Sequence, residues 1–349
     1  MSYVDWGSAR SIGRRVAGSG IKVSLEEAVS ASESLRDAAA RAYEPVAQTA
    51  QLDTSGQPES PVRVIDRSTW VDINIDSFGG LVDPVIETLM PKVPGAKLTR
   101  VVTSRVAGAE AGGLLGFFSS KVLGQYDLAP QGEPSLLLVA PNIVEAERQL
   151  GVDPDDFRLW VCLHEETHRV QFTAVPWLRQ HMIDGSRQLL TEIVPDPGAV
   201  PARLQEIATR LLGSVKDGGG GLADVFVNEE QRDRIAAMTA VMSLLEGHAD
   251  VVMDDVGPQI VPSVEEIRRT FNERRKGAGN VDRLLRRLLG LEAKMRQYRD
   301  GAAFCRAVMD KVGVDGFNEV WTSPETLPSA REILEPSLWV ERVHGSFIR

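Results

Sequence analysis

Residues 161–172 read V-C-L-H-E-E-T-H-R-V-Q-F, and His164, Glu165 and His168 form an H-E-x-x-H within them. On a helix, side chains four apart project from one face, about one turn apart, so both imidazoles can share one zinc ion. A glutamate directly after the first histidine lies beside that ion. There its carboxylate can take a proton from a metal-bound water. The bland alternative is two surface histidines on an exposed helix. Val161, Cys162, Leu163, Val170 and Phe172 flank the motif, however, and suit a helix that enters a core.

A zinc site of this kind needs a third protein ligand. The extended motif with a third histidine six residues on is absent, because that position is Ala174, and Gln171 stands where its glycine would be. The better candidate is E-G-H-A-D at 246–250. It lies on a predicted helix over 229–255, where Ile235, Met238, Met242, Leu245, Ala249 and Val252 recur at three- and four-residue spacing. Glu246 and Asp250 are four apart and share a face. One can ligate the metal, and the other can hold a ligand histidine through its second ring nitrogen. The competing reading of Glu246 is a solvated helix carboxylate. His248 points roughly 200° away from Glu246, as a substrate contact or a packed or surface histidine.

These motifs resemble the zincin-like metallopeptidase type 2 family, also labelled coenzyme F-420 biosynthesis-associated proteins. The resemblance runs over nearly the whole chain. Its carriers are V-L-G-Q-Y-D (122–127), L-L-L-V-A-P-N-I (136–143), the H-E-x-x-H run, E-G-H-A-D, and L-L-G-L-E-A-K-M-R-Q-Y (288–298). The H-E-x-x-H and E-x-x-x-D pair is also similar to that of the glutamate zincins. The resemblance implies zinc on His164, His168 and Glu246, Glu165 as the base, and Asp250 behind the ligands. It further implies a zincin-like metalloprotease fold, mainly α with a small β-sheet. Two features depart from the pattern. Glu166 and Arg169 are charged where such peptidases usually carry uncharged residues, and 78 positions separate His168 from Glu246.

Several elements must position these residues. Residues 24–50 read as a helix opened by a capping box of Ser24 and Glu27. Residues 51–61 read as an exposed linker. Trp70–Leu89 and the Gly/Ala-rich Val101–Leu123 are further predicted helices, the first with a break at Pro91. Val122–Leu128 and Ser135–Val139 are predicted strands around a turn with Pro130, Gly132 and Pro134. The resemblance implies that an edge strand here pairs with extended substrate. Asp153 or Asp155 opens the zinc helix. Asp217–Gly221 is a flexible break, read as a mobile loop rather than a phosphate cradle. A long C-terminal helix carries a stripe of Leu284, Leu288, Leu291, Met295 and Ala302, with eleven basic and six acidic residues between Glu265 and Asp300. Those arginines form a solvated face or, alternatively, an anion-binding wall. Along the chain, residues 1–95 read as a helical region and 96–349 as the catalytic region with a helical extension, together one compact unit.

Composition bounds the function. A net charge of −10 disfavours general nucleic-acid binding. Two cysteines make no disulfide framework, no apolar leader follows Met1, and no uncharged apolar run of 18 residues occurs. The expectation is a cytoplasmic protein without a membrane partner. The leading reading is a zinc-dependent hydrolase of peptide or amide substrates. Tyr126, His248 and Tyr298 are candidates for stabilising its oxyanion or touching substrate. The alternative is a catalytically silent zincin-fold binding or assembly module associated with deazaflavin coenzyme metabolism. Retention of Glu165 favours the enzyme, since a structural metal needs no base. Oligomeric state is not legible.

Overall fold

The computed structural model describes residues 4–89, 97–193, 229–277 and 291–345. Helices dominate, with one small sheet. The chain groups into two compact units, each assembled from three stretches. The first comprises the described parts of Met1–Ala38, Ser60–Arg158 and Ser186–Arg210, and the second those of Ala39–Glu59, Leu159–Gly185 and Leu211–Arg349.

The first unit begins with α1 (Trp6–Ala17) and the start of α2 (Leu25–Ala50). Ser24 Oγ accepts the Glu27 N–H at 3.1 Å while Glu27 accepts the Ser24 N–H at 2.8 Å, so the capping box forms as the sequence suggested. Strand β1 (Val62–Ile65), α3 (Arg67–Leu89) and α4 (Lys97–Phe118) follow. Helix α4 packs closely on α1. A β-carbon at Gly108, Gly112 or Gly116 would strike the backbone of Asp5, Ala9 or Gly13. The small residues of α4 therefore serve scaffold packing.

Strands β2 (Gly124–Asp127) and β3 (Ser135–Val139) pair antiparallel, Gly124 opposite Leu138 and Asp127 opposite Ser135. The sheet is larger than the expected hairpin: β1 pairs parallel with β3, giving the order β1-β3-β2. A four-residue strand beside a turn-rich linker has too few alternations to show in sequence. Strand β3 is buried along its length, as a central strand of Ser-Leu-Leu-Leu-Val should be. Its Leu137 and Val139 join Ala9, Trp70, Val71, Ile75 and Leu115 in one core. Helix α5 (Ala140–Leu150) leaves the sheet and ends on Gly151 at φ 66°.

Helix α6 (Pro154–Ala174) runs from the first unit into the second. Asp153 opens it, its carboxylate accepting the Asp156 N–H at 3.0 Å, with Pro154 in the first turn. It stops before Pro176, which starts α7 (Pro176–Ile193). The second unit continues with α8 (Glu229–Ile260), α9 (Val264–Gly277), α10 (Leu291–Asn318), α11 (Ala330–Leu334) and α12 (Pro336–His344). Helices α8 and α10 pack against each other. Gly247 and Gly301 meet at the crossing, where a β-carbon on either would strike the other helix's backbone. Gly313 kinks α10 at φ 75°. Phe304, Cys305, Val308 and Trp339 are buried in this unit, with the Phe304 and Trp339 rings edge-to-face.

The predicted stripe on α8 is only part of its buried surface. Val241, Leu244, His248 and Val251 are buried as well, whereas Met242 is exposed. Helix α8 is also long and apolar enough, by length and composition, to cross a membrane. Most of that window is buried inside the unit, as in a core helix. The Pro91 break, Asp217–Gly221, Leu284 and Leu288 lie outside the described residues.

Candidate metal centre

Helix α6 presents His164 and His168 one turn apart, their rings perpendicular with centroids 5.0 Å apart. Helix α8 brings Glu246 to them across 78 positions of sequence. Glu246 Oε2 lies 3.3 Å from His164 Nε2 and 3.5 Å from His168 Nε2. One atom from each residue can be chosen so that all three lie within 4.8 Å of one another. Ligands at about 2.0–2.1 Å around a tetrahedral zinc stand roughly 3.3–3.4 Å apart. The two nitrogen–oxygen separations match that edge.

Glu246 Oε2 is buried and has no hydrogen-bond partner among the described residues. A buried carboxylate oxygen without a donor is costly unless a cation takes that place. Burial pushes Glu246 up, but the charges of His168 and His164 hold it well below the usual carboxylate range. Burial also lowers His168, yet Glu246 and Glu165 carry it up to about 9. In the metal-free chain a proton on His168 thus supplies positive charge beside Glu246. Two imidazoles and a carboxylate, with one oxygen lacking a donor, fit a zinc ion in chemistry and spacing.

The neighbouring residues fall into place around this group. Asp250 Oδ1 is 3.6 Å from His164 Nδ1, the nitrogen turned away from Glu246. Glu165 is buried beside His164. Glu166 is fully buried about 200° around α6 from His164. It accepts from Arg169 Nε at 2.6 Å, and the Arg169 guanidinium lies 4.4 Å over the Tyr43 ring. The two charges that depart from the family pattern therefore pair with each other.

The family model of zincin-like metallopeptidases matches residues 4–340. The chain belongs to that family. It is also similar to a solved structure from Chloroflexus aurantiacus described as a "putative hydrolase with a novel fold", at 30% identity and a TM-score of 0.67, covering 98% of this chain and 99% of that one. No curated protein matches the chain.

His248 takes the packed alternative. It is fully buried, stacked on Phe317 at 5.3 Å and near Trp321 at 5.5 Å. Burial and the charge of His168 lower it to about 3, so it is neutral at ordinary pH. Tyr126 lies on β2 in the first unit, its hydroxyl 2.7 Å from Ser60 Oγ. Tyr298 lies on α10. Sequence reasoning passed over Gln171, which it noted only as a missing glycine. Gln171 is fully buried, three residues after His168 and seven after His164, on the ligand face of α6. A polar residue continuing that stripe was the available signal.

Proposed function

We propose that the protein is a zinc-dependent hydrolase of peptide or amide bonds, with His164, His168 and Glu246 as ligands. The observation that carries this reading is Glu246 Oε2, buried without a hydrogen-bond partner among the described residues and 3.3 and 3.5 Å from the two Nε2 atoms. Membership of a zincin-like metallopeptidase family and likeness to a structure described as a hydrolase support it. Zinc bound there would acidify a water to a pKa of about 7 and polarise a scissile carbonyl.

The chain's own residues do the rest. Glu165 takes the proton of the attacking water and returns it to the leaving nitrogen. Asp250 faces the second nitrogen of His164 and helps to set that ring's orientation. The silent-module reading drew on the charges of Glu166 and Arg169. Their pairing with each other leaves the ligand face unaltered.

Metal analysis of the purified full chain tests the ligand set. About one zinc per chain is expected, with loss of stoichiometric zinc in His164→Ala and in Glu246→Ala while the helical circular dichroism spectrum persists. Full zinc retention in either folded variant would overturn the set.

A further inference from the structure

Gln171 makes three contacts from a fully buried position, and one of them decides the others. Its amide nitrogen donates to the Leu245 backbone carbonyl at 3.0 Å. A carbonyl can only accept, so that end of the amide must be the NH2 group. The opposite end, Oε1, then faces His168 Nδ1 at 3.0 Å. An amide oxygen can only accept, so His168 Nδ1 must carry a hydrogen. In the neutral ring that leaves Nε2, the atom nearest Glu246, as a bare lone pair.

The same amide nitrogen lies 2.9 Å from His248 Nδ1. With both of its hydrogens engaged, it requires His248 Nδ1 to accept. The His248 proton then sits on Nε2, which is buried and has no hydrogen-bond partner among the described residues. A buried N–H without an acceptor is unfavourable. The Gln171 hydrogen bond at Nδ1 and the stacking on Phe317 hold the ring there regardless.

We infer that Gln171 is a positioning residue that clasps the metal helix to α8 and sets the His168 tautomer that presents Nε2 to a metal. The inference rests on the proposed metal reading and extends it. One side chain orients His168 directly and ties down Leu245, the residue preceding Glu246, so two of three ligands depend on it. The polar groups that complete the clasp are the Leu245 carbonyl and His248 Nδ1, each engaged by the Gln171 amide nitrogen.

The test combines two measurements on the full chain. The first is two-bond nitrogen–proton NMR of histidine-labelled protein, in which five histidines give five resolvable ring systems. His248 is expected as the Nε2–H tautomer with or without zinc, and His168 as Nδ1–H when zinc is bound. His248 in the Nδ1–H form would overturn the clasp. The second measurement is zinc affinity by chelator competition. Gln171→Met keeps the length but neither donates nor accepts, and should weaken zinc roughly 10- to 100-fold. Gln171→Glu restores an acceptor to His168 Nδ1 and should recover most of that loss while lowering thermal stability, because Leu245 loses its donor. Wild-type affinity in Gln171→Met, or equal losses in both variants, would overturn the role. If the wild-type chain binds no zinc, the metal reading fails, and the His248 tautomer still decides the clasp.

Discussion

On one face of α6, Glu166 and Arg169 pair at 2.6 Å; on another, His164 and His168 meet Glu246 at 3.3 and 3.5 Å. Both groups set acidic and basic residues together, the first buried and the second partly buried. They differ in the nature of the positive charge. A guanidinium is charged at every accessible pH, so the Glu166–Arg169 pair carries its own countercharge permanently. The first unit repeats this device where Arg158 forks onto buried Glu147 at 2.7 and 3.0 Å. An imidazole is charged only when protonated. The Glu246 group therefore compensates its carboxylate with something exchangeable, a proton or a cation. Buried polarity marks a binding site where the countercharge can leave, and a structural contact where it cannot.

The comparison can be broken most sharply at Glu165. Glu165→Gln keeps shape and hydrogen-bonding capacity but cannot serve as a base. Turnover of a hydrolysed substrate should fall by at least ~10²- to 10⁴-fold, with zinc content and thermal midpoint near wild type. Turnover at the wild-type rate would remove Glu165 from the mechanism.

The closed pair should respond in the opposite way. Arg169→Met strands a buried Glu166 and should cost roughly 3–5 kcal/mol in urea unfolding, while zinc affinity changes only a few-fold. Part of the cost is relieved by protonation, since burial already carries Glu166 up to about 7 despite Arg169. Combining Glu166→Leu with Arg169→Met should recover much of the stability. A collapse of zinc affinity in step with stability would show that the two faces are one cooperative group.

The smallest effect concerns Glu147. Burial raises its pKa above the ordinary 4.5, and Arg158 offsets only part of that rise. The unfolded chain releases this proton near 4.5, while the folded chain still holds it. The folded state then binds more protons, so Glu147 subtracts stability as pH climbs above 4.5. Glu147→Gln should flatten that part of the unfolding free-energy profile. An unchanged slope would show that the Arg158 pair fully compensates the burial.

Much of the local structure was legible because its causes are local. The Ser24–Glu27 box, the opening of α6 at Asp153 and its stop before Pro176 each depend on neighbouring backbone groups. The antiparallel pairing of β2 and β3 followed from two short apolar runs around a turn. Strand β1 was not legible, since its partner is more than 70 positions away and it has only four residues. The breadth of the buried surface of α8 was also hidden. Its apolar stripe described one face, whereas Gly247 lets α10 approach a second.

The sequence by itself determined the spacing within each helix: His164 with His168 and Gln171, and Glu246 with Asp250. Helical periodicity is a property of the backbone, so those residues share faces before any packing occurs. The distances across helices were decided only in the tertiary structure. Glu246 reaches the two imidazoles because α6 and α8 come together in one unit. The backbone contact of Gly247 with Gly301 sets α8 against α10. The His168 tautomer depends on a Leu245 carbonyl that is 74 positions from Gln171. Periodicity says which way a side chain points along its own helix, but close packing of separate helices decides what it meets.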